Sequence, residues 1–340
     1  MKTDFNRVYI GYTVYSLYLY LLYSTEEEIN NTFFFLGEGI DESIRNKLEN
    51  RYYFSDDEYR HKNIFSRYSY RVRLRYQSHR KWPFLKDAHL FVQDHFFYSG
   101  ALIAKRNYTL IEDAPNVYYR HRTYIQQQQK TVKEYVYKVD SLFRKWIENS
   151  YYGTLGDNPQ CKSILMTNIE SDPILDGKEL IQVIETEYWN AAAETKRNKI
   201  LTIFNITSED LAQLNKRKVI VFTQNFASLG FLSEQELIDI YAERITKHLS
   251  NEIIIKKHAL DKVDYRKYFP DAYVFDKIVP MQLLNLLDIR YDTAITISSS
   301  AVLSFPYDIQ IDWIGTDGNP KLFAAIGKQD LEAYYNNSKS

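Results

Sequence analysis

The sequence predicts an α/β protein built as two Rossmann-like domains, and two observations predict it. Short apolar runs recur along the chain with helical patterning between them, which is the signature of βαβ units on a parallel sheet. In the last third, each run also ends in small polar groups, at the strand ends outside which such sheets bind their ligands. Residues 219–224, Val-Ile-Val-Phe-Thr-Gln, open that series, and 253–258 follow, with Lys256, Lys257 and His258 at the end. Next come 272–275, leading to Val279-Pro280-Met281-Gln282, and 294–297, running into Ser298, Ser299 and Ser300. A Thr-Gln pair, a histidine, a Pro-x-Gln and a serine run all suit a phosphate or a ribose. This half is therefore read as nucleotide-binding.

The first half carries the same grammar. Residues 8–12 predict a strand and 15–23 the helix after it, with Thr13 in the turn between them. That turn reads either as a helix cap or as an acceptor-side loop. Residues 33–36 predict a second strand closed by Gly37-Glu38-Gly39, and 40–49 its helix. From 60 to 81 the chain has eight Lys or Arg and no acid, with tyrosines interleaved. The alternation within 67–76 fits a strand or a helix. Such a stretch is a solvated charged face, or it meets an anionic glycan, an acidic membrane surface or nucleic acid. No nucleic-acid motif accompanies it, which weighs against the last.

Residues 88–93 and 108–111 predict further strands, with a helix over 99–105 between them. The second delivers Glu112-Asp113-Ala114-Pro115 to its carboxyl end. A carboxylate there can take a proton from a hydroxyl; a helix-capping Asp in a turn is the other reading. A polar helix over 123–147, a Gly/Pro loop over 151–160 and a helix over 179–197 complete a first domain of residues 1–195. Residues 196–320 form the nucleotide domain, with an amphipathic helix over 234–249 between two of its strands. The remainder, 321–340, is expected as a terminal helix over 322–335 that can pack back on the first domain, with a disordered tail over 336–340.

Composition narrows the classes. The 340 residues suffice for two domains, and 45% hydrophobic with 26% charged residues is ordinary for a soluble globular protein. A formal net charge of −1 argues against a general nucleic-acid binder. A single cysteine, Cys161, excludes an internal disulfide framework and fits a reducing cytoplasm. The apolar run 8–23 is interrupted by Gly11, Thr13 and Ser16 and is too short for a span of about 20 residues. There is no GxGxxG fingerprint, no GxxxxGK[ST] loop, no GxSxG elbow and no Cys/His spacing for zinc. Two α/β halves, one with a nucleotide face, then describe a glycosyltransferase of the GT-B type.

Taken in order, the motifs resemble those of glycosyltransferase family 52, the bacterial lipooligosaccharide sialyltransferase family. Val8-Tyr9-Ile10-Gly11-Tyr12-Thr13 looks like the family's first strand, and Leu110-Ile111-Glu112-Asp113 like its acidic motif, Asp/Glu-Asp-Gly. Phe222-Thr223-Gln224 resembles its strand-end Thr-Gln, and Lys256-Lys257-His258-Ala259 its Lys-x-His-Pro. Val279-Pro280-Met281-Gln282 stands where the family has Pro-x-Glu, and Ser298-Ser299 match its Ser-Ser. The resemblance implies metal-independent transfer of a sugar, first of all sialic acid from CMP-sialic acid, onto a bacterial surface glycan such as capsule or lipooligosaccharide. It implies no cofactor beyond the nucleotide-sugar donor, a glycan or glycolipid acceptor and a homodimer. Within that reading the enzyme is expected in the cytoplasm, its basic stretch 60–81 fitting the inner face of the membrane, with no nucleic-acid partner.

The resemblance also implies roles. Asp113 would deprotonate the acceptor hydroxyl, and His258 would donate to the departing nucleotide phosphate. Ser298, Ser299 and Ser300 would hydrogen-bond that phosphate, Pro280 and Gln282 would face the ribose, and Thr223 and Gln224 would line the base or phosphate. Thr13 and Glu112 would lie on the acceptor side. Three positions depart from the pattern: Ala114 replaces a glycine, Ala259 a proline and Gln282 a carboxylate. A neutral amide grips a diol less strongly than a carboxylate does. A UDP-hexose donor, or a catalytically silent relative acting as a binding partner, are the alternatives.

Overall fold

A computed structural model describes residues 5–58, 63–115, 117–118 and 155–331. The chain divides into two compact units, Met1–Ile203 and Phe204–Ser340. The division falls at the end of helix Glu194–Ile203, a little beyond the boundary expected at 195.

The first unit is a seven-stranded, all-parallel sheet. Its strands are Arg7–Gly11 (β1), Thr32–Leu36 (β2), Arg51–Tyr53 (β3), His89–Val92 (β4), Tyr108–Ile111 (β5), Cys161–Met166 (β6) and Glu179–Gln182 (β7). They lie in the order β3-β2-β1-β4-β5-β6-β7. The chain starts in the middle, steps out to β3 and returns to β4 on the other side of β1. That reversal makes the β1/β4 carboxyl ends the switch point where a ligand crevice forms. Val8, Tyr9 and Ile10 in β1 and all of β5 are buried, as a sheet covered on both faces requires. Helix Val14–Tyr23 is buried from Ser16 through Leu22, and its polar start is met by Thr13, whose side chain accepts from the Ser16 N–H. The capping reading of that turn therefore holds.

Several elements differ from the sequence expectation. The helix expected over 40–49 is the single turn Glu42–Arg45, and that over 99–105 is Ser99–Leu102. The helix expected over 179–197 opens instead as strand β7 and becomes helical only at Glu185–Ala191 and Glu194–Ile203. Polar ends on Glu179–Gln182 hid an edge strand that pairs with β6 alone. The 60–81 stretch forms helix Ile64–Lys81, with Arg71, Leu74 and Ser78 buried one turn apart. Residues 60–62, the helix expected over 123–147 and residues 151–154 lie outside the described residues.

The second unit is a five-stranded parallel sheet. Its strands are Val219–Phe222 (β8), Ile253–Lys256 (β9), Tyr273–Phe275 (β10), Thr293–Thr296 (β11) and Gln310–Trp313 (β12), in the order β10-β9-β8-β11-β12. The switch point here is β8/β11. Helix Glu234–Ile245 begins in a capping box between Ser233 and Glu236 and buries Leu237, Ile238, Tyr241 and Ile245. Those side chains share one core with Val219, Val221, Ile253 and Ile255. Helix Pro320–Ile326 packs within its own unit. Leu322 enters the same core as Leu237, and Lys321 pairs with Glu236. Gly327, at φ 69°, stops it where a side chain would strain the backbone. Residues 332–340 lie outside the described residues. Among those described, no helix is long and apolar enough to cross a membrane.

Candidate active site

At the carboxyl edge of the first sheet, one buried amide organises the site. Gln93, directly after β4, has no exposed surface. Its Oε1 accepts the Tyr12 N–H at 2.7 Å and the Thr13 N–H at 3.0 Å. Its Nε2 donates to Thr13 Oγ1 at 3.0 Å and to Asp113 Oδ1 at 2.5 Å. Two backbone donors on one atom fix which end of the amide is oxygen. The Asp113 carboxylate is thus held by one oxygen, and His95 Nε2 stands 3.9 Å from the other. Asp113 is about one-third exposed, so that second oxygen remains within reach of solvent. The structure therefore brings Thr13 and Asp113 into one hydrogen-bonded group.

Glu112 goes the other way. Successive residues leaving a strand point to opposite faces, and the Glu112 side chain is fully buried. Its Oε1 accepts from the Tyr15 hydroxyl at 2.6 Å, the Thr167 N–H at 2.9 Å and Thr167 Oγ1 at 2.7 Å, while Oε2 is buried without a partner. Burial outweighs those bonds and pushes its carboxyl up to about 7. Expected on the acceptor side, Glu112 offers no surface to an acceptor here. It ties β5 to the segment after β6.

In the second unit, Thr223 is likewise interior. Its hydroxyl donates to Asp261 at 2.6 Å and accepts the His258 N–H at 3.1 Å. Asp261 also accepts from the Tyr265 hydroxyl at 2.8 Å. This buried set shapes the loop after β9 and leaves the His258 ring exposed. His258 Nδ1 accepts the Leu260 N–H at 3.2 Å. The neutral ring then carries its proton on Nε2 and presents a donor outward. Partial loss of solvent lowers its pKa, the Lys256 charge lowers it further and Asp261 opposes both, so the neutral form dominates at pH 7. Lys256, half-buried at the end of β9, is pushed down to about 8 by loss of solvent.

The serine run is anchored by Thr296. Its hydroxyl donates to the Phe222 carbonyl at 3.2 Å and accepts the Ser299 N–H at 3.0 Å, joining the β8 and β11 ends. Ser299 Oγ accepts from the Ala301 N–H and starts the turn Ser300–Ser304. Ser298 is half-buried and Ser300 exposed. Gln224 and Gln282 are half-buried, and Pro280 opens the short helix Met281–Asn285. Asn285 fastens that helix to the serine turn through the Ser304 carbonyl at 2.6 Å. Sequence reasoning passes over Gln93, His95, Tyr15, Thr167 and Asp261. The first two are within its reach: Gln93-Asp94-His95 is itself a polar cluster at a strand's carboxyl end.

Two parallel sheets, each with its polar side chains gathered at a carboxyl-edge switch point, make the two Rossmann-like halves of a GT-B fold. The chain belongs to glycosyltransferase family 52, whose pattern matches residues 38–313. It is 27% identical over 250 residues to an uncharacterized protein of Haemophilus influenzae, covering 73% of this chain and 75% of the relative. Its fold is similar to that of a 2,6-sialyltransferase from Photobacterium sp. JT-ISH-224 in a ternary complex with CMP and lactose. That likeness has a TM-score of 0.53 at 13% identity and covers 88% of this chain and 69% of that one. The GT-B domain of a Photobacterium damselae sialyltransferase matches with a TM-score of 0.51 at 13% identity, over 91% and 89%.

Proposed function

We propose that this glycosyltransferase moves sialic acid from CMP-sialic acid to a hydroxyl of a bacterial surface glycan, such as lipooligosaccharide or capsule, in the cytoplasm. The observation that carries the reading is Asp113: one oxygen is clamped by Gln93 and the other, 3.9 Å from His95, stays within reach of solvent at the carboxyl edge of the first sheet. Asp113 takes the proton of the acceptor hydroxyl as the hydroxyl oxygen bonds to the anomeric carbon. The bond from that carbon to the phosphate oxygen breaks, and CMP leaves with the electron pair.

Charge growing on the phosphate is met by the His258 Nε2–H and the Lys256 ammonium, with the hydroxyls of Ser298, Ser299 and Ser300 around them. Fixed donors of this kind stabilise a leaving group without a metal. Pro280 and Gln282 flank the ribose and Gln224 the base. Thr223 acts from behind, by holding the His258 loop.

Incubation with CMP-sialic acid and lactose, read by mass spectrometry, tests this. Sialyllactose and free CMP are expected from the wild type and not from Asp113→Ala. Turnover only with a UDP-hexose would overturn the donor assignment. Stabilisation by CMP without turnover on any acceptor would point to a silent relative.

A further inference from the structure

We propose that the outward face of helix Ile64–Lys81 docks on an anionic lipid bilayer, a surface independent of which sugar is transferred. The chain as a whole is nearly neutral, with 43 Lys and Arg against 44 Asp and Glu, yet this 18-residue helix contains no acid. Its outward stripe is mixed. Arg73, Arg80 and Lys81 are exposed, and between them stand two large apolar side chains, Val72 at 41% and Tyr76 at 64% exposure, one turn apart. Arg80 lies 5.2 Å over the Tyr76 ring.

The phosphates of a polyanion gain nothing from exposed Val72, and base stacking would use Tyr76 alone. A bilayer interface takes them into its headgroup layer while lipid phosphates meet the cations. Beside the stripe lies a cavity of about 190 Å³ lined by Tyr52, Tyr70, Arg73, Gln77, Lys81 and Trp82. Lys81 Nζ sits 4.1 Å from the Tyr52 ring centre and 4.8 Å from that of Trp82, so a cation is held at the mouth of an aromatic pocket. Glu58, the acid on its rim, is engaged by the Tyr70 hydroxyl at 2.6 Å. The pocket has the size and charge for one phosphate headgroup.

Co-sedimentation with vesicles of phosphatidylcholine alone, or with added phosphatidylglycerol, tests the proposal. Binding is expected only with phosphatidylglycerol, and it should fall as salt is raised, because screening acts within about 10 Å at 0.1 M. Arg73→Gln with Arg80→Gln should weaken partitioning about twenty-fivefold, at roughly fivefold per basic residue. Val72→Ser with Tyr76→Ser should weaken it at least several-fold and leave the salt dependence unchanged. All four positions are exposed, so the variants should fold, and an unchanged far-ultraviolet spectrum verifies it. Equal binding to phosphatidylcholine, no vesicle binding, or wild-type binding by either double variant overturns the proposal. So does displacement by free glycerol phosphate, which would make the ligand a soluble phosphate. Binding to an RNA oligonucleotide as tight as to vesicles overturns it as well.

Discussion

Gln93 donates to Asp113 Oδ1 at 2.5 Å while its other end accepts the backbone of Tyr12 and Thr13, so one side chain sets the position of the carboxylate from two strand ends at once. Neither backbone donor can be given up cheaply, since an orphaned buried N–H costs about 1–3 kcal/mol.

Gln93→Glu separates the two jobs. The new carboxylate still accepts from Tyr12 and Thr13, but it places a like charge against Asp113, and such a pair shares a proton. The expected result is a fold near wild-type stability with kcat reduced about a hundredfold, the scale of a misplaced catalytic group. The loss should be deepest at low pH and should partly recover as pH rises. A kcat–pH profile reads this directly, and wild-type kcat at every pH would refute the positioning role.

Glu112 predicts a pH dependence of stability. Its folded pKa, about 7, lies above the ordinary 4.5, so its folded form favours the proton. Its contribution is therefore fully present below pH 4.5 and is lost as pH rises from 4.5 through 7, by about 3 kcal/mol. Glu112→Gln, neutral throughout, should flatten the wild-type fall in melting temperature between pH 5 and pH 8. An equal fall in both proteins would sink the assignment.

Much of this architecture is legible in the sequence. Of the strands that are not, Cys161–Met166 is a buried inner strand that the residue pattern does not mark, and the others share a cause. Strands β1, β4, β5, β8, β9 and β11 are apolar runs, so their ends, and with them Asp113, His258 and Ser298, can be located from the residue pattern alone. Strands Arg51–Tyr53, Glu179–Gln182 and Gln310–Trp313 escape it, because they are sheet edges with exposed or half-buried side chains. The orientation of a strand-end side chain escapes as well. Glu112 and Asp113 are neighbours of like chemistry, and only the strand's alternation sends one inward and the other to the edge. Thr223, expected to line the base or phosphate, is buried with its hydroxyl on Asp261.

Lys256 predicts a pH dependence of binding. With its ammonium pushed down to about 8, it is mostly charged at pH 7 and mostly neutral at pH 9. CMP affinity should therefore drop as pH rises through 8, and binding near pH 8 should take up a proton. Calorimetry in buffers of different ionisation enthalpy measures that uptake. Lys256→Met should abolish it, and its persistence there would assign the proton to another group.

His258 predicts a distinction between charge and donation. Because the Leu260 N–H occupies Nδ1, the neutral ring presents an Nε2–H outward. His258→Ala should cost about 2.7–4 kcal/mol of transition-state stabilisation. His258→Asn, which keeps a neutral donor, should recover part of it. Single-turnover rates compare the two, and equal loss in both would mean that proton transfer rather than donation is the role.

Thr296 carries a lesson for anyone who would redesign the donor. By burial it belongs to the hydrophobic core, and valine matches it in shape, so stability-guided libraries would accept the exchange. Yet its hydroxyl is the one acceptor given to the Ser299 N–H and also a tie to the Phe222 carbonyl, and Val for Thr is not a neutral swap where a hydroxyl is used. A population screened for melting temperature alone would gather variants whose serine loop has come loose, and substrate selectivity would drift unseen in proteins that still look sound.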